Sequence, residues 1–229
     1  METNATPDFV QRWLATLTDG KLSRLSPDAS ATAIFSTDMI NGFVHDGALA
    51  SPRVNGIVES VSDVFRAAWA HGVREFVLLQ DTHDPNTPEF RAYPPHCIAG
   101  TPESVTIPEL AALPWADFFT IIPKNSLNPA IETAFDRWLD DHPGITTAIV
   151  VGNCTDLCVY QLAMHLRIRA NALNLATFEV IVPANAVQTF DIPETPEAIA
   201  GQAHPADFFH DVFLYHMAAN GIRIVTSLT

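Results

Sequence analysis

The stretch VVGNCTDLCVY, residues 150–160, sets Cys154 and Cys158 four positions apart in a chain whose remaining cysteine is Cys97. Two thiols at that spacing can form a disulfide, supply part of a metal site, or divide into a nucleophile and a bystander. A zinc site built on them needs further cysteines or histidines close by in sequence, and the segment has none. A disulfide is disfavoured in the reducing compartment that the rest of the chain implies. The segment leaves an apolar run and should enter a helix, with Thr155 or Asp156 as its cap. Cys158 then falls in the first turn, where the helix dipole favours a thiolate, and Cys154 lies in the turn before it. Cys158 is therefore the expected nucleophile, whereas Cys97 reads as a buried, inert thiol.

Other reactive types follow other apolar runs. Asp38 stands in FSTDMINGF, Asp81 and His83 in LLQDTHDP, and Lys124 in IIPKNS. The chain has only two lysines, Lys21 and Lys124. Most lysines are surface residues, but this one follows DFFTIIP directly, at the rim of a buried layer, which favours a functional reading. Asp81 and His83, with Glu89 and His96 downstream, make a mixed nitrogen and oxygen set that suits zinc, manganese or iron. The spacing alone is weak, because a D-x-H in a loop is more often solvated than metallated. The remaining histidines, His204 and His210 among them, read as core or surface residues.

These residues need a scaffold that brings strand ends together. Buried-strand patterns occur at 31–37, 74–80, 117–123, 146–152, 175–183 and 222–228, and helical patterns at 53–71, 128–141, 155–172 and 205–219. Alternating strand and helix imply an α/β fold, a three-layer Rossmann-like sandwich with a mostly parallel sheet of about six strands, in one domain over residues 1–229. In such sheets ligands bind beyond the carboxyl ends of the strands, where Asp38, Asp81, Lys124 and the cysteine segment would converge. Two irregular stretches, 81–113 and 183–205, break the rhythm. Long irregular segments in a compact fold are usually functional, and the second is either another wall of the site or a surface excursion.

The bulk numbers bound the partners. With 48% hydrophobic and 17% charged residues the chain reads as globular. A net charge of −14 repels phosphate backbones and anionic lipid, so neither nucleic acid nor membrane is an expected partner. No apolar run approaches the roughly 18 residues of a membrane helix. METNATPDFVQRW lacks the basic start and apolar core of a signal peptide, and the expected location is the cytoplasm.

Together the motifs resemble those of the isochorismatase-like cysteine hydrolases and, within them, the nicotinamidases, plant-type members especially. The family pattern D-x-Q-N-D-F is met by Asp38-Met39-Ile40-Asn41-Gly42-Phe43, with Ile40 and Gly42 departing from it. D-x-H followed by P-x-H-C-x-x-G-T is met by Asp81-Thr82-His83 and by Pro94 to Thr101, and G-x-x-T-D-x-C-V by Gly152 to Val159. The likeness spans roughly residues 31 to 225. It implies a triad of Asp38, Lys124 and Cys158, and one divalent metal, zinc with manganese or iron as alternatives, on Asp81, His83, Glu89 and His96. It also implies a cis peptide between Asn153 and Cys154, an oxyanion hole from the backbone N–H groups of Cys154 and Cys158, and a substrate pocket involving Phe43, Tyr93 and Asn153. Tyr93 stands where many members have Trp, and Glu89 where others have His.

The implied reaction is hydrolysis of nicotinamide to nicotinate and ammonia through a cysteine thioester, in NAD salvage, by an enzyme whose relatives are often homo-oligomers. The alternative is another amidase of the superfamily, acting on a ureido, carbamoyl or maleamate-type substrate; such relatives usually lack the full Asp/His/Glu/His set. Isochorismate hydrolysis is disfavoured because those members dispense with the cysteine. A non-catalytic binding module would predict a broken triad.

Overall fold

The computed structural model describes residues 6–193 and 203–229. The strands are β1 (Thr32–Thr37), β2 (Glu75–Asp81), β3 (Phe119–Lys124), β4 (Thr147–Asn153), β5 (Glu179–Pro183), β6 (Val187–Gln188) and β7 (Arg223–Val225). They form one sheet in the order β3-β2-β1-β4-β5-β7, with β6 alongside the end of β4, and the paired strands all run parallel. The seventh strand, beyond the six the apolar runs suggest, is β6; two residues are too short to show a pattern.

Among the described residues, five longer helices cover the sheet: α1 (Asp8–Leu14), α2 (Val58–His71), α3 (Phe135–Asp141), α4 (Cys158–Ala172) and α5 (Ala206–Ala219). Alternate residues of each buried strand serve opposite faces. Ile34, Phe76, Leu78 and Val151 join Phe65 and Val61 of α2 in one apolar layer, while Phe35, Leu79 and Val150 join residues of α3, α4 and α5 in the other. In α2 the buried Val61, Val64, Phe65 and Ala68 recur at helical spacing, and Gly72 ends the helix at φ +110°.

Several boundaries differ from the sequence reading, each for a local reason. Helix α3 starts at Phe135, not 128, because Asn128 Oδ1 accepts from the Ala130 N–H (2.9 Å) and Thr133 Oγ1 from the Phe135 N–H (3.1 Å), which spends these residues on turns. The pattern at 53–71 divides into a single turn, Pro52–Asn55, and α2. Helix α1 follows no expected pattern; it packs on α5, with Phe9 and Trp13 edge-on to Tyr215 at 5.3 Å.

Candidate active site

Strand register assembles the polar groups. Thr37 pairs with Leu79 and with Gly152, and Asp81 pairs with Lys124. The carboxyl ends of β3, β2, β1 and β4 therefore present Lys124, Asp81, Asp38 and Asn153 in a row. Lys124 and Asp81 are the last residues of their strands, inside the layer and not beyond it. Asp38 turns off β1 at φ +53°, its N–H donating to Leu79 O (2.9 Å) and its Oδ1 accepting from the Asp81 N–H (2.7 Å). Gly152, at φ +112°, lets β4 pass so close to β1 that a Cβ there would lie 2.1 Å from Thr37 O. The Asn153–Cys154 peptide that follows is cis.

Lys124 Nζ lies 2.9 Å from Asp38 Oδ2 and 3.4 Å from Cys158 Sγ, and also donates to Asp81 Oδ1. All four side chains are buried. Burial works against the lysine's charge, but the carboxylates of Asp38 and Asp81 hold its pKa above the usual value. Burial and the Asp81 carboxylate raise Asp38 to about 6. Burial drives the Cys158 thiol upward, and Lys124 only partly opposes it. The arrangement thus favours a resting thiol beside an ionised Asp38, where helix position alone suggested a standing thiolate. Cys154, buried and near Asp156, is pushed up to about 12 and is a poor nucleophile.

Asp81 joins this cluster to a second one. Its Oδ2 lies 3.5 Å from His83 Nε2 and 3.9 Å from His96 Nε2. One ligand atom from each of Asp81, His83 and His96 falls within 4.8 Å of the others. Glu89 stands at the edge of this group, Oε1 3.8 Å from His83 Nε2, carried by the single turn Pro88–Arg91. The two imidazoles are oriented from behind: His83 Nδ1 meets Asn125 Oδ1 at 3.1 Å and His96 Nδ1 meets Pro94 O at 2.8 Å. That leaves both Nε2 atoms facing the carboxylates. Among the described residues, His83 Nε2 and Glu89 Oε1 are buried with no hydrogen-bond partner. Burial lowers the pKa of His96, which favours the neutral, ligating form. Orphaned donors, hydrogen bonds behind the imidazoles and a mixed nitrogen and oxygen set are what a divalent ion requires.

Both clusters open into one pocket, walled by Phe43, Leu49, Tyr93, Leu127, Leu157 and Phe190. Phe43 also packs edge-on to His96 at 5.5 Å. Asn153 lines the cavity, but its Nδ2 donates to Asp38 O (2.6 Å), so it braces the acid from behind. Sequence reasoning did not pick out Leu49, Leu127, Leu157, Phe190 or Asn125. Leu157 stands at an unspecified position of the cysteine motif, the others sit on connections without pattern, and the four wall residues have no distinctive chemistry.

Helix α4 begins at Cys158 with no side-chain cap on its N-terminus among the described residues. The expected caps are engaged elsewhere: Thr155 Oγ1 meets His210 Nδ1 at 2.9 Å, and Asp156 Oδ2 meets His204 Nε2 at 2.7 Å. Among the described residues, neither the Cys154 nor the Cys158 backbone N–H meets an acceptor. The irregular stretch 183–205 contributes Phe190 and His204 to this corner; its residues 194–202 lie outside the described chain.

Known proteins share this chain's sequence family and architecture. An isochorismatase domain model matches residues 32–224. Nicotinamidase 1 of Arabidopsis thaliana is 32% identical over 215 residues, covering 87% of each chain. Among solved structures, a pyrazinamidase of Pyrococcus horikoshii in complex with zinc superposes with a TM-score of 0.64 at 23% identity, over 85% of this chain and 98% of that one. N-carbamoylsarcosine amidase from Thermoplasma acidophilum does so with the same TM-score at 24% identity, over 85% and 95%. Structural likeness at this identity shows the fold and does not separate the two amide classes.

Proposed function

The chain belongs to the isochorismatase-domain family, and from that premise we propose that it is a nicotinamidase, hydrolysing nicotinamide to nicotinate and ammonia. The observation that carries the reading is Asp81, whose Oδ1 bonds Lys124 of the nucleophile cluster while its Oδ2 faces His83 and His96. One carboxylate thereby sets a candidate metal beside the thiol, a need that a ring-positioning ion explains and a plain amidase does not. The likeness to the Arabidopsis nicotinamidase supports it. A pocket walled by Phe43, Tyr93 and Phe190 suits a small planar amide.

The residues then take these roles. Asp38 accepts the Cys158 thiol proton as sulfur forms its bond to the amide carbonyl carbon; Lys124, beside both, offsets the charge that appears on sulfur. The carbonyl oxygen becomes an oxyanion facing the N–H groups of Cys154 and Cys158, each such donor contributing about 3 kcal/mol in comparable sites. Collapse breaks the carbon–nitrogen bond, and Asp38 returns its proton to the departing ammonia. A water, deprotonated by Asp38, attacks the thioester; the carbon–sulfur bond breaks, Asp38 returns that proton to sulfur, and the acid product ionises, its proton taken up by ammonia. Phe43 and Tyr93 hold the ring, while Asn153 keeps Asp38 in place. A divalent ion, zinc in this reading, would be held by Asp81, His83, Glu89 and His96 and would supply Lewis acidity toward the ring nitrogen.

Two apolar layers on one continuous sheet support treating 1–229 as one domain. Free thiols at Cys97, Cys154 and Cys158 support a reducing compartment such as the cytoplasm. The deciding experiment is ammonia release from nicotinamide beside a panel of carbamoyl, ureido and maleamate-type amides. Preference for nicotinamide is expected; preference for a panel member would move the chain to the alternative amidases.

A further inference from the structure

The turn that carries Cys154 and Cys158 is held from outside the cavity by a histidine that the mechanism above does not use. His204 Nε2 lies 2.7 Å from Asp156 Oδ2, and its Nδ1 lies 2.9 Å from the carbonyl oxygen of Phe190. A carbonyl only accepts, so Nδ1 carries a proton; the carboxylate takes a second from Nε2. The ring is stacked between Phe190 at 4.0 Å and Phe209 at 4.2 Å, with interplanar angles of 17° and 4°. Its backbone exchanges two hydrogen bonds with Ile192, of 3.0 and 2.9 Å. Every polar atom and both faces of the imidazole are therefore engaged. What it engages belongs to the site: Asp156 precedes Cys158 by two residues, and Phe190 is part of the cavity wall.

We infer that His204, as an imidazolium, is a positioning residue for this enzyme: through Asp156 it fixes the turn that presents Cys158 and the two amides, and through its stack it fixes Phe190 against the substrate ring. The inference rests on the function proposed above. An ion pair with a carboxylate whose side chain is 4% exposed is charge-assisted and little screened. Among the described residues Asp156 Oδ1 is buried without a partner, and there the carboxylate has His204 for its neutralisation. A cation between two aromatic faces gains further attraction. Burial works against the His204 charge, and Asp156 outweighs it, raising the pKa. Among the described residues, Asp191, Asp207 and His210 of this corner are already engaged or unsuited. Asp191 accepts from the Ala206 N–H (2.9 Å), Asp207 pairs with Arg53 (2.6 Å), and His210, lowered by burial, faces the Thr155 hydroxyl.

The test uses the full-length, metal-loaded protein. Nitrogen-15 NMR of the imidazoles should show both ring nitrogens of His204 protonated at pH 7, the signals being assigned by their loss in His204→Phe. That variant keeps the stack and loses both side-chain hydrogen bonds. Its kcat for nicotinamide should fall roughly 10- to 100-fold with KM little changed, as for a slightly misplaced nucleophile. His204→Ala removes the stack as well, and KM should also rise. An alkaline limb of the wild-type profile, set by loss of the imidazolium, should be absent from His204→Phe. The Asp156→Asn/His204→Phe double variant should lose no more than the worse single one. Should His204→Phe fail to fold, His204→Gln, which keeps a donor toward Asp156, takes its place, with lowered kcat and no such limb expected. Wild-type kcat and pH profile in either folded variant, a His204 with one ring proton at pH 7, or additive losses would overturn the inference. If nicotinamide proves not to be a substrate, the NMR result and slower alkylation of Cys158 by iodoacetamide in His204→Phe still read His204 separately.

Discussion

At the scale of single residues, the two thiols of the cysteine turn differ in what faces them. Cys158 Sγ has Lys124 Nζ at 3.4 Å, whereas Cys154 Sγ has the Asn153 side-chain oxygen at 3.5 Å and a pKa pushed up to about 12 by burial and Asp156. Cys158→Ala should therefore lower turnover by at least about three orders of magnitude with folding intact. Cys154→Ala should keep substantial activity, since only its backbone N–H is used. Steady-state ammonia release checks both, and a dead Cys154→Ala would reverse the assignment. Asp38 makes a pH prediction. It must be ionised to take the thiol proton, and its folded pKa is raised to about 6. The active carboxylate is lost as pH falls through that value, so kcat/KM at saturating metal should drop below about pH 6, well above the usual carboxylate range. An acid limb near pH 4 would show that Asp38 feels neither its burial nor Asp81.

At the scale of elements, the site depends on how closely the ends of β1 and β4 approach. Gly152 sits at φ +112°, and a Cβ there would meet Thr37 O at 2.1 Å and Thr37 N at 2.9 Å, both backbone atoms that cannot swing aside. Gly152→Ala should cost about 2 kcal/mol or more, combining left-handed strain with a strand displacement. A urea titration reads this as a lower midpoint with unchanged slope. Gly144, with open space where its Cβ would be, is the control: Gly144→Ala should stay within about 0.5 kcal/mol of the parent. Equal midpoints for the two variants would mean that β1 and β4 have slack at their ends. The element bounds carry a related lesson. Thr155 and Asp156 are good caps by type, but His210 and His204 reach them first, so α4 starts three residues later than its sequence suggests.

At the scale of the molecule, a chain of net charge −14 gathers Asp38, Asp81 and Glu89 around one cavity with Lys124 as the buried counter-charge. A divalent ion there relieves that excess. Metal bound only by the folded chain stabilises it by about 2.7 kcal/mol at a hundred times its dissociation constant. Zinc should therefore raise the melting temperature of chelator-treated protein, and His96→Ala should abolish the rise. Chelation should also cripple nicotinamide turnover while Cys158 stays open to alkylation by iodoacetamide, because Asp38 and Lys124 act on the thiol directly. Benzamide, which lacks the ring nitrogen, should be a poor substrate with or without metal. Equal rates for nicotinamide and benzamide, or full activity without stoichiometric metal, would remove the ring-positioning role.

The sequence by itself determined the layered α/β plan, because buried parallel strands must be continuous apolar runs and their alternation with helices leaves little topological choice. It also determined which residue types end each strand, so Asp38, Asp81, Lys124 and Cys158 were legible as a group. Asp81, His83, Glu89 and His96 were legible as a mixed metal-ligand set, weak by spacing alone and strengthened by resemblance to a known family. Tertiary structure alone decided the protonation balance, since the pKa values of Asp38 and Cys158 follow from burial and from neighbours far along the chain, Asp81 beside Asp38 across 43 residues and Lys124 beside Cys158 across 34. It alone decided that Phe190 walls the cavity and that His204 grips Asp156 across 48 residues. No local pattern encodes such pairs: spacing reports which residues share a face, whereas contact between distant loops depends on where the whole sheet sets them down.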